Sequence, residues 1–424
     1  MKSEKALRYL TQAGQRALRV HAHAEALHAF TQAVDILDSL SETIETRRQR
    51  VAVTLQLASI HVLLGHYGES LPFLNQALAQ ARKAGDMQVV AHLETRIGRV
   101  RYSMGEYDDA IDSLERGLEL ASEIDDKIRM AICYQSLGYV YFSSGRLPQA
   151  IDCFHNALQI SEAADNPSGV VVASTFLSNA YARAGHTADA VEWGQRALSL
   201  SEPLADERRI AWACIMLAQA YNLSGNFAES ARLLERALRL CDRVGDFLGR
   251  AWVHIWYGEL YAIRDQDYAT ALKYANHVIE MGHTSGGFQH EVSHQYARGA
   301  EYLLRLGRYQ EAFDYCQSGL AIAQQTANKL EYGYAYLILA EIHAAASYAD
   351  PDKAVWYLQE SRKAFDEVEA RVDFGRTYLA EARIAACQHD GGPRHGAEAA
   401  RAIFVEQGAK PLQQAAETLL DSLA

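Results

Sequence analysis

The chain has 424 residues, 49% of them hydrophobic and 22% charged, with a formal charge of −12 and a pI near 5.7. That balance excludes broad nucleic-acid binding, which needs a concentrated basic surface, and no apolar window of the sequence is long enough to span a bilayer. The length would suit two or three globular domains, but a fixed internal period makes one elongated array the expectation.

Residues 1–45 read as a degenerate N-terminal capping helix pair. Met1-Lys2-Ser3-Glu4-Lys5 enters an amphipathic helix rather than a secretory leader, Arg16-Ala17-Leu18 closes it, and Ala26, Leu27, Phe30, Ala33 and Leu37 carry the apolar face of a second helix. A soluble, cytoplasmic protein is expected. Residues 46–244 hold the regular units, two to six. Gly65, Gly105, Gly145, Gly185 and Gly225 recur every 40 residues; a small residue (Ser70, Ala110, Ala150, Ala190, Ser230) follows each, and an Asp or Asn (Asp86, Asp126, Asn166, Asp206, Asp246) keeps the same interval. The glycine lets the backbone reverse between two helices through left-handed dihedrals, the small residue lets the helices approach, and the Asp or Asn caps the next helix. Apolar residues between the columns fall at helical spacing, as in Ala150, Ile151, Phe154, Ala157 and Leu158. Each unit is therefore two antiparallel amphipathic helices that must stack to bury both faces.

Residues 245–285 form a seventh unit in which Asp265-Gln266-Asp267-Tyr268 replaces the glycine turn and adds a residue, so a local change of pitch is expected. Behind it, Gly282-His283-Thr284-Ser285-Gly286-Gly287 is the candidate hinge. Residues 286–409 carry units eight to ten, with turns at Gly307-Arg308-Tyr309, at Ser347-Tyr348-Ala349-Asp350-Pro351 and between Cys387 and Gly396; residues 410–424 read as a capping helix.

In the fourth unit Leu137, Gly138, Tyr141, Ala150, Phe154 and Ala157 occupy the large and small packing positions of the tetratricopeptide repeat, which the chain resembles along almost its whole length. The 40-residue period and the missing proline make it similar to the long-helix subclass found in Leu-Gly-Asn repeat adaptors, peptide-sensing bacterial regulators and the C-terminal sensor regions of maltose-regulator-type ATPases and nucleotide cyclases. The resemblance implies an all-α, right-handed superhelical solenoid of roughly ten antiparallel helix pairs. Gly408-Ala409-Lys410-Pro411 is similar to the close of such sensor regions, so a natural C-terminus is expected, of a stand-alone protein or of a larger chain.

No Gly-x-x-x-x-Gly-Lys-Ser/Thr loop and no Gly-x-Ser-x-Gly elbow is present. His21, His23 and His28 lack a Cys or carboxylate to complete a ligand set, and His290 and His294 lack the HExxH glutamate, so packing or surface roles are expected and no metal. Cys133, Cys153, Cys214, Cys241, Cys316 and Cys387 stand singly and read as buried thiols. Neither enzyme activity nor a cofactor is expected.

In the family, the first helix of each pair lines a concave groove. The column after the Leu-Gly or Leu-Ala pair runs Ser59, Arg99, Tyr139, Asn179, Gln219, Glu259, Glu301 and Glu341; one turn earlier stand Gln135 and Thr175, one turn later Arg183 and Arg305. The candidate groove is Arg99, Gln135, Tyr139, Thr175, Asn179, Arg183, Gln219, Glu259, Glu301, Arg305 and Glu341. Asn179, in Leu177-Ser178-Asn179-Ala180-Tyr181, matches the adaptor motif whose amide holds an extended peptide backbone. Arg99, Asn179 and Arg183 make the first half of the column neutral to basic, and Glu259, Glu301 and Glu341 make the second half acidic. Trp212, Trp252 and Trp256 stand near the junction, as an apolar anchor or as packing between repeats. The expected function is a non-enzymatic adaptor or sensor that binds a protein or peptide, with no direct nucleic-acid or membrane partner. The alternative is a regulatory or oligomerisation module that self-associates or joins an ATPase or cyclase.

Overall fold

The computed structural model describes the chain apart from residues 1, 20–21, 42, 64–65, 286–288, 327, 346–349, 389–392 and 424, and describes no side chain at 2–4, 19, 23, 63, 285, 289–290 and 387–388. Gly65, His21, the Gly286-Gly287 pair of the candidate hinge and the turn residues 347–349 and 389–392 lie outside the described residues, as do the side chains of His23, His290 and Cys387.

Twenty-one α-helices and no strand are present among the described residues. In chain order they are α1 (Lys2–Arg19), α2 (His23–Ser39), α3 (Ile44–Leu63), α4 (Tyr67–Ala84), α5 (Met87–Met104), α6 (Tyr107–Glu123) and α7 (Lys127–Ser143). Then come α8 (Leu147–Ala163), α9 (Pro167–Ala184), α10 (Thr187–Ser201), α11 (Glu207–Ser224), α12 (Phe227–Val244), α13 (Phe247–Leu260) and α14 (Tyr268–Ser285). The last seven are α15 (Gln289–Arg305), α16 (Tyr309–Thr326), α17 (Lys329–Ala344), α18 (Pro351–Glu367), α19 (Arg371–Gln388), α20 (Pro393–Glu406) and α21 (Lys410–Ser422). Odd helices pair with the even helices that follow them, α1 with α2, α3 with α4 and α5 with α6, then α9 with α10, α11 with α12, α15 with α16, α17 with α18 and α19 with α20. Successive odd helices also pack on each other, α9 on α11 on α13 and α15 on α17 on α19, which makes an all-α repeat solenoid. It divides into two compact units, unit 1 (Met1–Val140 with Ser285–Gly287) and unit 2 (Tyr141–Thr284 with Phe288–Ala424). No helix of the described residues is long and apolar enough to cross a membrane.

The three sequence columns do their expected work. Gly105, Gly145, Gly185 and Gly225 take φ of 81°, 77°, 97° and 80° between paired helices. The small residues Ser70, Ala110, Ala150, Ala190 and Ser230 are wholly buried. Asp86, Asp126, Asn166, Asp206 and Asp246 each accept, at 2.9–3.2 Å, from the backbone N–H three residues on, which satisfies donors that the first helical turn leaves free. A further column was not visible in the sequence: the residue before each cap is also left-handed, at Gly85, Asp125, Asp165, Ala205 and Gly245, because three of these five are not glycine. The extra residue of the seventh unit is absorbed as a π-helical turn, Tyr261–Asp265, followed by Gln266 at φ 53°. Cys133, Cys153, Cys214, Cys241 and Cys316 are buried free thiols.

Within unit 2 the late repeats pack back on the turns of the early ones. The Asn328 side chain donates to the Ser143 carbonyl at 2.5 Å, Gly145 faces Val368 and Leu330, Gly185 faces Val372, and Gly225 faces Lys410 and Pro411. Helix α9 accordingly touches α19, and α11 touches α21. At Gly185 this approach leaves no room: a Cβ would sit 2.8 Å from Val372 Cγ2 and 3.2 Å from its backbone nitrogen, whereas one at Gly245 would meet nothing within 4 Å. Both glycines have positive φ, so Gly245→Ala is expected to cost about 1 kcal/mol in backbone strain and Gly185→Ala about 2–4 kcal/mol once the collision is added. Equal losses in chemical denaturation would contradict this packing. In the opposite direction, Ala205→Gly removes a left-handed alanine (φ 52°) and is expected to gain about 1 kcal/mol; a drop in the melting midpoint would count against that reading.

Candidate binding groove

Three of the candidate residues belong to unit 1: Arg99 is exposed, while Gln135 and Tyr139 are half-buried, and burial raises the Tyr139 hydroxyl pKa in spite of the Arg99 charge. The other eight belong to unit 2. Thr175, Asn179 and Gln219 are buried, and Thr175 is occupied within its own helix, donating to the Val171 carbonyl at 2.8 Å. Arg183, Glu259, Glu301, Arg305 and Glu341 are half-buried, and each enters an ion pair of a network drawn from α9, α13, α15, α17 and α19.

The network starts on α9. Arg183 reaches Glu331 of α17 at 3.3 Å, with its guanidinium over the Phe142 and Tyr334 rings at 6.0 and 5.6 Å. The other Glu331 oxygen meets His294 Nδ1 of α15 at 3.3 Å. Tyr334 donates to Asp373 of α19 at 2.7 Å, and Arg376 lies 3.4 Å from Asp373 and 3.9 Å from Glu301. Arg298 holds Glu301 at 2.7 Å and Glu259 at 3.9 Å; Arg305 holds Glu341 in a fork at 2.6 and 3.0 Å, with Arg383 4.0 Å away. The second half of the column is therefore not an acidic strip. Glu259, Glu301 and Glu341 each face guanidiniums supplied by α15 and α19, which corrects the charge map drawn from the column alone.

Two small cavities lie inside this network. One, of about 10 Å³, is lined by Phe142, Arg183, Trp252, Ile255, Trp256, Glu291 and His294; the other, of about 40 Å³, by Arg183, Gln219, Trp256, Glu259, Arg298, Asp373 and neighbouring side chains. Buried polar atoms here without a hydrogen-bond partner include Arg376 Nε, Asn179 Oδ1, Arg183 Nε, Gln219 Oε1 and Trp256 Nε1. The last three line the larger cavity. The tryptophans do pack between repeats, with Phe176, Trp212, Trp252 and Trp256 in a ladder of ring contacts at 5.9–6.0 Å, and Trp212 donates to Asp246 at 2.9 Å. Trp256 also faces the cavity.

Arg298 and His294 were legible in principle. They stand three and seven residues before Glu301 and so share its helix face, which the column did not follow far enough. Glu331 offered no signal, because a Glu three residues past the Asn328 cap is explained by capping alone. In unit 1, His61, His66 and Glu69 bring three metal-capable atoms within 4.8 Å of one another; Glu69 already lies 3.1 Å from His61 Nδ1, and it and His66 are exposed.

Burial shapes the titration of the network. Burial would raise the Glu301 carboxyl, but the Arg298, Arg376, Arg305 and Arg383 charges hold it at about 2. Glu291 has no such set: burial, joined by the Glu331 charge, pushes it up to about 7 from an ordinary 4.5, against hydrogen bonds from the backbone and Trp252. Burial first, then Arg183 and Arg298, lowers His294 well below its ordinary value, so it meets Glu331 as a neutral ring donating from Nδ1. For Glu291 the folded pKa lies above the unfolded one, so its contribution is full below about pH 4.5 and is lost as pH rises through about 7. His294 has the opposite sign, losing stability as pH falls below its unfolded value. Glu291→Gln removes only the first effect. Relative to the unchanged chain, the variant is expected to gain stability between pH 4.5 and 7, by up to about 3 kcal/mol; a pH-independent difference in urea unfolding would refute the burial of that carboxyl.

A family model described as "Tetratricopeptide repeat" matches residues 50–123, 89–163 and 128–202 in overlapping windows, and a second of the same description matches 210–244. A model described as "Anaphase-promoting complex subunit 5" matches 296–367. A comparison with curated proteins returns no match. Among solved structures, a Rap protein complexed with Competence and Sporulation Factor is similar, at 14% identity and a TM-score of 0.56, over 98% of this chain and 99% of that one. Aspartyl phosphate phosphatase F from Bacillus subtilis aligns at 12% identity and 0.54 over 76% of this chain and 94% of that one. A monomeric mutant of IFIT1 with Gppp-AAAA aligns at 12% and 0.53 over 99% and 90%. At these identities the structures share the fold, and the two tetratricopeptide models match the stretch that carries the 40-residue glycine, small-residue and capping columns. Residues 50–202 and 210–244 of this chain are tetratricopeptide repeats, set in an all-α repeat solenoid.

Proposed function

We propose that the protein is a non-catalytic receptor or adaptor that binds a protein segment or peptide along the odd-helix face of unit 2. One observation carries this: Arg183, Gln219 and Trp256 each turn a buried, unpartnered polar atom into a shared cavity of about 40 Å³, with a fourth, on Asn179, one helical turn from Arg183. Such atoms are costly to leave unmade, at about 1–3 kcal/mol each, and two acceptors with two donors are the complement of a peptide backbone. The cavity holds about one water, so a ligand requires the late repeats to move off the early ones. The similar Rap structure contains a bound Competence and Sporulation Factor, which supports the reading by analogy of fold.

The candidate set Arg99, Gln135, Tyr139, Thr175, Asn179, Arg183, Gln219, Glu259, Glu301, Arg305 and Glu341 narrows under this reading to Asn179, Arg183 and Gln219 as first contacts. Of the regular repeats, residues 46–244, those from Tyr141 onward would bear the ligand. A cytoplasmic site of action goes with it, since five cysteines are free buried thiols. Assembly with an ATPase or cyclase module is the other reading, carried by family resemblance alone.

Affinity selection from a library of short peptides, followed by calorimetric titration of a retained sequence, tests the proposal. Asn179→Ala and Gln219→Ala are each expected to weaken binding about tenfold with little loss of stability, because neither deletes a satisfied acceptor. A library from which nothing is retained, or peptides that bind both variants as well as the parent, would count against it.

A further inference from the structure

Unit 1 carries a second concentration of charge, of a different kind. On α5, His92, Arg96 and Arg99 stand four and three residues apart and so share one helix face, and Arg129 joins them from the start of α7, close enough for its charge to act on both His92 and Arg96. Arg96 Nη2 donates to Ser59 of α3 at 2.8 Å, which anchors that guanidinium to the neighbouring repeat. None of the three arginines is in an ion pair among the described residues. The acidic residue of the same helix, Glu94, is turned the other way and already lies 2.6 Å from Arg82 and 3.1 Å from Arg116, and Asp126 accepts from the Arg129 backbone as a helix cap. Burial, then the Arg99 and Arg129 charges, lowers the Arg96 pKa, and burial with the three arginines brings His92 down to about 4. Arg129 Nε and His92 Nδ1 are buried without a hydrogen-bond partner.

Like charges left together, with buried ring and guanidine nitrogens unpartnered, are a cost that a bound anion would remove, and they occur here in a chain of net charge −12. We propose that Arg96, Arg99 and Arg129, with His92 beside them, form an oxyanion site that takes a phosphoryl group. A phosphoryl group places close to two charges and three acceptor oxygens on one centre, which suits three neighbouring guanidiniums better than the single charge of a carboxylate, and forked guanidinium donors match its geometry. The inference uses no residue of unit 2, so it stands or falls apart from peptide binding there.

Calorimetric titration of the full chain with inorganic phosphate, in about 50 mM salt where screening is weak, is the test. Saturable binding at one site is expected, reduced at least about tenfold in Arg99→Gln/Arg129→Gln. Arg99 is exposed, so Arg99→Gln should fold, and because it relieves repulsion it is expected to melt no lower than the unchanged chain without phosphate, with His92 titrating closer to 6.5 by NMR. O-phosphoserine and AMP separate the sources: competition by the first points to a phosphorylated protein side chain, by the second to a nucleotide, and either supports the site. Succinate binding as tightly as phosphate, a heat signal matched by chloride at equal ionic strength, or a lower melting point of Arg99→Gln without phosphate would overturn it.

Discussion

Arg183 and Glu331 are 148 residues apart in sequence and share a hydrogen bond with almost no access to solvent. An exposed pair of this kind would be worth less than about 1 kcal/mol, but breaking a buried one by deleting a partner costs about 3–5 kcal/mol, because the remaining charge has nowhere to go. The pair therefore acts as a condition on unit 2 more than as a source of stability. While α17 lies against α9, Arg183, Glu331, His294 and the Tyr334 ring satisfy one another, and Val372 can settle against the Gly185 turn. If α17 moves away, all of these contacts are lost together, which makes closure of the unit cooperative.

What could be read from the sequence was whatever is local to one repeat. The glycine turn, the small residue and the Asp or Asn cap are each set by a few consecutive residues, so their column positions translate directly into φ values, burial and cap hydrogen bonds. The second left-handed column stayed hidden because alanine and aspartate fill three of its positions, and the cap hydrogen bond and the stacking of repeats hold them there against their preference. Ser178 shows the same logic at a packing position: it stands where other units have Gly or Ala, and its hydroxyl donates to the Ala190 carbonyl at 2.7 Å, with Gly194 leaving room beside it.

The candidate groove was legible only by position. The column located residues that share one register of the odd helices, but it could not supply their partners, which come from helices up to 148 residues away. The glutamates looked acidic because the column contains Glu259, Glu301 and Glu341 but not Arg298, Arg376 and Arg383, which neutralise them from α15 and α19. Charge on a repeat surface depends on which repeats lie opposite, and that is a tertiary quantity.

The two units treat the same type of residue in opposite ways. In unit 2, five arginines meet five carboxyls, and a sixth carboxyl, Glu291, keeps its proton to about pH 7; the unpartnered atoms at the larger cavity are neutral or delocalised, an amide oxygen, an indole N–H and guanidine N–H groups. In unit 1 the carboxylate of Glu94 is spent on Arg82 and Arg116, and among the described residues the three arginines of the neighbouring face are in no ion pair. Selection for stability alone would remove both features, since an apolar residue at Gln219 or a carboxylate beside Arg99 would relieve the cost. That Asn179, Arg183, Gln219 and Trp256 each leave a polar atom unpartnered on α9, α11 and α13, while the arginines of α12 are paired with Glu202, Glu207, Glu229 and Glu235, is the physical reason for looking to the odd helices for ligands, and each unit leaves a different chemistry unmet there.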